Sequence, residues 1–398
     1  MRFVPRCIGL LTVCFSLTAI ASDPQEEFWT AIDACPSIKS GLCSPLEQYF
    51  KNESSALKTI IAGFRSSDQN RRSTASKLMQ RTELGTAAKR CQSLIDAEQS
   101  TQDAIRGELY GALGRLKHGC AVPALTAVVT NPHTDARNRI YAANALGYFP
   151  RKSLIEPLSK ALQDPMMRVQ SAAARSLGDI GENTAVPALI NRMLTVITAP
   201  SVRVECANAL AKLGDHTAIA PLAIILHHRL PTVRSAATRA LGALGKDSVV
   251  PLLIQRLHDP GIQKALVGAL ATIGDERGID ALGVLARNEA ASKATRLQCL
   301  QGLGHWQSPL VHKNVHSLLN HTDPDIVIAA TTTLGQAKTM DSISPLVPLA
   351  TSPNPEISKT AVWALENITG KKLGTDPEAW KRAYPTADAK SKNPATAY

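Results

Sequence analysis

The stretch that decides the fold is RVQSAAARSLGDIGENTAVPAL, residues 168–189. Its first half is rich in small residues, a Gly-Asp-Ile-Gly segment breaks its middle, and its second half carries an apolar stripe. The same pattern recurs about nine times, and each copy has an anchor leucine equivalent to Leu177. The anchors are Leu113, Leu146, Leu177, Leu210, Leu241, Leu270, Leu303, Leu334 and Leu365. Their spacing of 29 to 33 residues is typical of a repeat architecture.

Each copy predicts a helical hairpin. Positions eight, four and one before the anchor are mostly small or apolar, and with the anchor they share one face of a helix. Glycine after the anchor suits the left-handed end of that helix, and polar residues then suit the next N-cap. A second amphipathic helix follows, with proline near its first turn. Because one hairpin cannot bury its apolar face alone, the sequence predicts an all-α fold, an α-solenoid (superhelix) of about nine two-helix repeats with helical caps.

The repeat resembles a known family. The pattern V-R/Q-x-x-A-A-x-A-L-G-x-I-G-x-x-x-A-V-P-x-L is similar to the short bacterial HEAT repeats that also occur in phycobilisome lyase-like proteins, and it covers residues 105–370. The resemblance implies a fold more than an activity, since this family contains scaffolds, adaptors and a few enzymes. The segment 364–384 also resembles the closing segment of bacterial HEAT proteins, in which Trp380 and Tyr384 would cover the last repeat.

The N-terminus predicts export. Residues 1–21 carry two arginines, an apolar run and an Ala-Ile-Ala site, which is typical of a signal peptide cleaved after Ala21. We therefore expect an exported protein, periplasmic or secreted, with no integral membrane segment after cleavage. A lipoprotein signal at Cys14 is the alternative, and the bulky Val13 disfavours it. We expect the rest of the chain to comprise an N-terminal helical capping region with degenerate repeats (22–104), the array (105–370), a C-terminal capping helix (371–384) and a flexible tail (385–398).

The cysteines divide by position. Cys35 and Cys43 bracket a loop containing Pro and Gly, and we expect them to form a disulfide bond. A second candidate disulfide pairs Cys91 with Cys120, which would tie the N-terminal region to the first repeat. Two further cysteines stand four before an anchor in separate repeats and are predicted to be small core thiols; they are Cys206 and Cys299. The cysteines show no C-x-x-C spacing and no clustered histidine partners, so no metal site is predicted.

Charge indicates where the array binds. The chain has a formal net charge of +11, and residues 105–370 hold 26 Lys and Arg against 19 Asp and Glu. Two polar columns lie off the apolar face of the anchor helices, which in HEAT solenoids are the second helices and line the concave surface. The candidate binding residues, seven before and two before the anchors, are Arg139, Asn144, Arg175, Arg203, Asn208, Arg234, Arg239, Arg296 and Gln301. In HEAT repeats an arginine seven before the anchor also forms a structural ladder with aspartates of the preceding turn, and both interpretations stay open because such aspartates are sparse here.

Three functions are compatible with this sequence. We expect a non-catalytic exported scaffold or adaptor that holds an acidic segment of a cell-envelope protein partner in its concave groove. The alternative is a binder of nucleic acid or an anionic envelope polymer, disfavoured by the few aromatic residues and the export signal. The third is a lyase- or hydroxylase-like HEAT enzyme. HEAT hydroxylases of the deoxyhypusine kind carry His-Glu pairs, and this sequence contains none; His312 and His316 lack a third ligand at metal spacing. We therefore expect no enzyme and no cofactor, and the oligomeric state stays open.

Overall fold

The computed structural model describes residues 23–34, 48–99, 101, 106–245 and 247–385. The chain forms two compact units, one ending at Ala124 and the other beginning at Leu125. This division lies beyond the boundary that the sequence predicted at residue 104. None of the described residues forms a strand, and the predicted all-α solenoid is confirmed. The described helices contain no segment long and apolar enough to cross a membrane.

The first unit replaces the regular repeat with less periodic helix packing. Its described helices are α1 (Pro24–Asp33), a short stretch at 48–50, α2 (Glu53–Gly63), α3 (Gln69–Leu78), a 3-10 turn (Thr82–Leu84), α4 (Ala87–Gln99) and α5 (Arg106–Leu116); α6 (Ala121–Thr130) contains the division. Helices α3 and α4 both pack against α5, which buries the first anchor, Leu113. At Gly63 a Cβ would lie 2.4 Å from a ring atom of Trp29, so only glycine permits this contact. The predicted Cys35–Cys43 bridge lies outside the described residues.

The second unit is a stack of helical hairpins. Its anchor helices are α7 (Ala136–Leu146), α9 (Met167–Ile180), α11 (Pro200–Leu213), α13 (Pro231–Leu244), α15 (Gln263–Ile273), α17 (Lys293–Leu303), α19 (Pro324–Ala337) and α21 (Pro355–Thr369). The intervening helices are α8 (Ile155–Ala161), α10 (Val186–Leu194), α12 (Ile219–Ile225), α14 (Val250–Gln255), α16 (Glu276–Arg287), α18 (Pro309–Val315) and α20 (Ile343–Leu346). Short 3-10 turns flank several of them, at Lys152–Leu154, Asn183–Ala185, His216–Ala218, Asp247–Val249, His316–Asn320, Met340–Ser342 and Val347–Thr351. Each anchor helix packs against the next one along the chain.

Small residues set the distance between neighbouring anchor helices. All nine anchor leucines are at most 1% exposed. At Gly178 of α9 a Cβ would stand 2.8 Å from the Cα of Ala209 in α11, so the backbones are in direct contact there. In the column one before the anchor, Ser176 Oγ donates to the Ala143 carbonyl at 2.8 Å, which adds a hydrogen bond between repeats. The stack is therefore stabilised mainly by contacts between neighbouring repeats.

The core thiols and the helix ends follow the sequence prediction. Cys206 and Cys299 are buried and free, and burial raises the pKa of each thiol to about 12. Anchor helix α9 ends at Gly181 with φ 80° and α11 ends at Gly214 with φ 70°, a left-handed conformation that glycine adopts without steric cost. In α19 the same left-handed end is formed by Lys338, at φ 52°. These ends turn the chain into the next intervening helix.

The C-terminal helix covers the last hairpin. Helix α22 (Pro377–Ala383) packs against the 3-10 turn Val347–Thr351. Trp380 is fully buried, donates its indole N–H to the Gly374 carbonyl at 2.8 Å, and stacks on Tyr384 at a ring-centroid distance of 6.3 Å. The predicted signal peptide lies outside the described residues, as does all of the predicted tail (385–398) except residue 385.

Candidate functional site

Two arginines of the column seven before the anchor are tied to aspartates. Arg139 pairs with Asp164 through Nε at 2.8 Å and Nη2 at 3.0 Å, and the two side chains are 5% and 7% exposed. Arg234 makes the same two-point contact with Asp259, at 2.9 and 3.0 Å. Each aspartate lies 25 residues after its arginine, in the turn that precedes the next anchor helix. The ladder therefore runs forward to the turn before the next anchor helix, and not back to the preceding turn that the sequence pattern suggested.

Two further arginines of this column cap intervening helices. Arg203 donates to the carbonyls of Met193, Thr195, Val196 and Thr198 at and just beyond the end of α10, and burial lowers the pKa of its guanidinium. Arg296 donates from Nε to the Ala286 carbonyl at 2.9 Å, at the end of α16. Helix ends leave such carbonyls unpaired and favour cations. The four seven-before arginines that were predicted to bind a partner thus form hydrogen bonds within the repeats, and we leave them out of the candidate site.

The column two before the anchor lies on the accessible face of the anchor helices. Asn144 and Asn208 are half-buried, and Arg175, Arg239 and Gln301 are exposed. Arg175 pairs with Glu205 of the next anchor helix at 2.6 Å, and Arg239 donates to Ser235 Oγ at 2.8 Å. The face therefore mixes amides with partly neutralised cations.

A cleft of about 580 Å³ interrupts this face between α15 and α17. Its volume lies in the range of small-molecule sites. The residues that line it are Lys264, Val267, Gly268, Ala271, Thr272, Gln298, Gln301, Gly302 and His305. Of the predicted binding residues only Gln301 lies in this set.

Two glycines shape the cleft. Gly268 stands two before the anchor Leu270, where neighbouring repeats carry Arg239 and Gln301, and a Cβ added there would meet nothing within 4 Å. The missing side chain leaves open space on the helix surface. At Gly302, by contrast, a Cβ would lie 2.4 Å from Val267 Cγ1, so this glycine brings the floor of the cleft close to α15.

The cleft combines an apolar floor with a polar rim. Val267 is 5% exposed, whereas Lys264 and His305 are exposed at the rim. Lys264 forms no ion pair with any described residue, so its charge is available to a ligand. A second hollow of about 290 Å³ shares Lys264 and Gln298 and extends toward Ser235 of α13. Both hollows are open to solvent and lined by apolar and polar side chains, with Lys264 and Gln298 common to the two.

Sequence reasoning missed most of the cleft. Lys264, Gln298 and His305 stand six before, five before and two after their anchors, at positions that carry no regular residue type along the array. The usable signal was Gly268, because it is the glycine that replaces a long polar side chain where its neighbours on both sides keep one.

The histidine pair of the sequence analysis lies elsewhere. His312 and His316 stack at a ring-centroid distance of 5.2 Å, and His312 Nδ1 lies 3.0 Å from Ser342 Oγ. Burial, followed by repulsion from the neighbouring ring, lowers the pKa of His312. No third metal-binding side chain of the described residues joins this pair.

Comparison with known proteins identifies the family. The architecture is that of an α-solenoid, and models of HEAT repeats match residues 122–196, 219–292 and 284–366, while a model of the PBS lyase HEAT-like repeat matches 202–228. Together these segments span more than half of the chain. The protein therefore belongs to the HEAT-repeat family, as its sequence resemblance predicted, and the cleft lies inside the matched segments.

Two curated relatives and one solved structure are informative. The chain is 30% identical over 177 residues to an uncharacterised phycocyanin operon protein Z of Pseudanabaena tenuis, covering 42% of this chain and 85% of the relative. It is 28% identical over 208 residues to phycocyanobilin lyase subunit alpha of Nostoc sp., covering 48% of this chain and 74% of that subunit. A structure of Kap95p with RanGDP matches 90% of this chain and 57% of that one at a TM-score of 0.57 and 12% identity, which shows the fold alone.

These relatives correct the expected function. From the sequence we expected a non-catalytic scaffold and no enzyme, with a polyanion binder as the alternative and a lyase- or hydroxylase-like HEAT enzyme as the least favoured function. The match to a lyase subunit contradicts that prediction, because the relative is by its name part of an enzyme. The prediction was wrong because it required a His-Glu or triad-like constellation, and a repeat surface can hold catalytic groups without any such short motif.

Proposed function

We propose that this protein is a lyase subunit of the HEAT type and that its substrate is a linear tetrapyrrole bound in the cleft between α15 and α17. The observation that carries the proposal is the similarity to phycocyanobilin lyase subunit alpha over 74% of that subunit. The cleft and the hollow beside it support the substrate class. A linear tetrapyrrole is long, flat and apolar on its faces, and it carries two propionate groups.

The rim supplies groups suited to that ligand. Lys264 is the exposed cation shared by both hollows and would pair with a propionate. Gln298 and Gln301 offer amides for the pyrrole N–H and lactam groups, and Val267 supports the flat face of the ligand. His305 is the ionisable imidazole of the cleft, and in this proposal it moves the proton that a lyase addition or elimination requires.

A protein partner belongs to the same proposal. The Nostoc relative is named as a subunit, which supports an assembly of more than one chain. We assign the partner contact to the two-before column ahead of the cleft, from Asn144 through Arg175 and Asn208 to Arg239, since these side chains are exposed or half-exposed on the same anchor-helix face.

The test is a titration with phycocyanobilin, followed by visible absorption and circular dichroism. The wild type should bind and twist the pigment, and Gly268→Arg should abolish binding because its side chain fills the cleft. Gly268→Ala is the matched control, since its Cβ meets nothing within 4 Å, and it should bind like the wild type. Absence of any induced circular dichroism with the wild type would refute the substrate class.

A second experiment separates binding from transfer. Phycocyanin without its pigment serves as the acceptor, and pigment that stays with it on a denaturing gel measures transfer. The Arg175→Glu/Arg239→Glu variant should keep pigment binding and lose transfer, whereas His305→Gln should keep binding and slow the chemical step. Equal transfer by all three proteins would exclude both assignments.

We also propose that the protein is exported by residues 1–21. The disulfide between Cys91 and Cys120 supports an oxidising compartment. The N-terminus of the protein recovered from its native host tests this proposal. It should begin at Ser22, and an N-terminus at Met1 or Arg2 would refute export by this route.

A further inference from the structure

The first unit holds a cluster of metal-binding side chains that the lyase proposal does not use. An imidazole nitrogen of His118 and the sulfur atoms of Cys91 and Cys120 all lie within 4.8 Å of one another. No other group of three His, Cys, Asp or Glu side chains in the described residues meets this criterion. In the structure the two sulfurs form a disulfide bond, and the histidine lies beside it.

Two separate pieces of the chain build this cluster. Cys91 is fully buried in α4, while His118 and Cys120 are half-buried in the turn between α5 and α6. That turn follows Lys117, whose φ of 52° ends α5 in the left-handed conformation. The backbone N–H of Cys120 donates to Nδ1 of His118 at 3.4 Å, which orients the ring within the turn. The fold thus brings one imidazole and two sulfurs together.

We propose that reduction of the Cys91–Cys120 disulfide converts this cluster into a Zn²⁺ site with Cys₂His ligation. Two thiolates and one imidazole match the ligands that Zn²⁺ prefers, and a fourth position stays open for water or another ligand. Zn–S bonds of about 2.3 Å place two thiolates roughly 3.8 Å apart in a tetrahedral site. This spacing lies within the 4.8 Å span of the cluster, so opening the S–S bond creates the room that the ion needs.

The switch consists of disulfide reduction followed by Zn²⁺ binding. A dithiol reductant transfers two electrons and two protons to the disulfide, which becomes two thiols while the reductant becomes a disulfide. Zn²⁺ then replaces the two thiol protons, which pass to solvent, and neutral His118 adds its lone pair. The S–S bond and the Zn–S bonds use the same sulfur atoms, so the two states exclude each other. The first unit therefore alternates between a covalent and a metal crosslink of α4 to the turn after α5.

The test uses the full chain with the four cysteines outside the described residues replaced by serine. These cysteines are Cys7, Cys14, Cys35 and Cys43. The buried thiols Cys206 and Cys299 remain. The protein is reduced under nitrogen, freed of reductant, and titrated with Zn²⁺ against a chromogenic chelator. One equivalent should bind in the submicromolar range to the reduced protein and none to the oxidised protein.

Substitution distinguishes this site from other thiols. The His118→Gln variant can still be oxidised and reduced but lacks the third ligand, so its affinity for Zn²⁺ should fall sharply. His133→Gln, an exposed histidine outside the cluster, is the matched control and should bind like the parent. Co²⁺ in place of Zn²⁺ should give a thiolate charge-transfer band in the parent and the control. If reduced His118→Gln binds Zn²⁺ as tightly as the parent, or if the reduced parent binds none, the proposal is refuted.

Discussion

The buried ladder predicts that Asp164 stabilises the fold far more than an exposed acid on the same array. Asp164→Ala removes both hydrogen bonds to the Arg139 guanidinium and leaves that cation 5% exposed without its counter-ion. Loss of one partner of a buried ion pair costs about 3 to 5 kcal/mol. Asp164 also accepts from the Met166 backbone N–H at 2.8 Å, a further hydrogen bond worth about 1 kcal/mol. Arg139 keeps its hydrogen bonds to the carbonyls of Pro132 and Thr134, so we expect the ion-pair loss near the lower end of its range. The total loss in the free energy of unfolding is then about 4 kcal/mol.

The matched control is Glu205→Ala, which breaks the more exposed pair with Arg175. The two side chains of that pair are 48% and 22% exposed, and we expect a cost of about 0.2 to 1 kcal/mol. Urea unfolding followed by circular dichroism gives both values as free energies of unfolding. The double variant Arg139→Met/Asp164→Leu should recover most of the loss, because no unpaired charge stays buried. If Asp164→Ala and Glu205→Ala agree to within about 0.5 kcal/mol, the arginine column is not a structural ladder.

Three further predictions follow from single contacts. Gly268→Ala should raise the free energy of unfolding by about 0.5 to 1 kcal/mol, because alanine favours the helix and its Cβ meets no neighbour. Gly302→Ala should lower the free energy of unfolding by about 1 to 3 kcal/mol, because its Cβ would overlap Val267. Urea unfolding measures both changes. The hydrogen bond from Lys293 lowers the pKa of Asp323, so this pair stabilises the fold above the unfolded pKa of Asp323, and that stabilisation is lost as the pH falls through the folded pKa. Lys293→Met should therefore lower Tm at pH 7, and the difference in Tm from the wild type should shrink as the pH is lowered. The Cys206 thiol, with its pKa raised to about 12, should resist iodoacetamide at pH 8 in the native protein and react only on unfolding, as mass spectrometry would show.

The repeats could be predicted from the sequence because their period determines which residues are buried. A leucine recurs every 29 to 33 residues and is flanked by small residues at fixed offsets. Stacking the copies as neighbouring hairpins buries all of these leucines at once, and every anchor leucine is buried in the structure. The roles of Arg139 and Arg234 were not readable in the same way. Their partners lie 25 residues ahead in a turn of the following repeat, and only the packing of successive hairpins shows that this distance closes.

The contacts of the first unit could not be predicted because they follow no repeat. Its contacts join residues with no periodic relation, such as Gly63 against Trp29 and Cys91 against Cys120. A helix pattern predicts which face is buried but does not identify the aromatic ring or sulfur that meets it. The sequence therefore predicted a capping region and a candidate Cys91–Cys120 disulfide, but it did not predict that His118 lies beside these cysteines.

The cleft lies where one repeat differs in sequence from its neighbours. In a regular array every copy presents the same groups, so the surface has no preferred place for a single ligand. A site requires that one copy differ from its neighbours at an accessible position. Gly268 is such a difference, because it removes a side chain from the two-before column while Arg239 and Gln301 remain on either side. The deviation costs helix propensity and gives no buried contact in return, so packing does not account for it. In a repeat protein, the positions to examine for function are therefore the exposed ones where one copy departs from the residue type found at that position in the other copies.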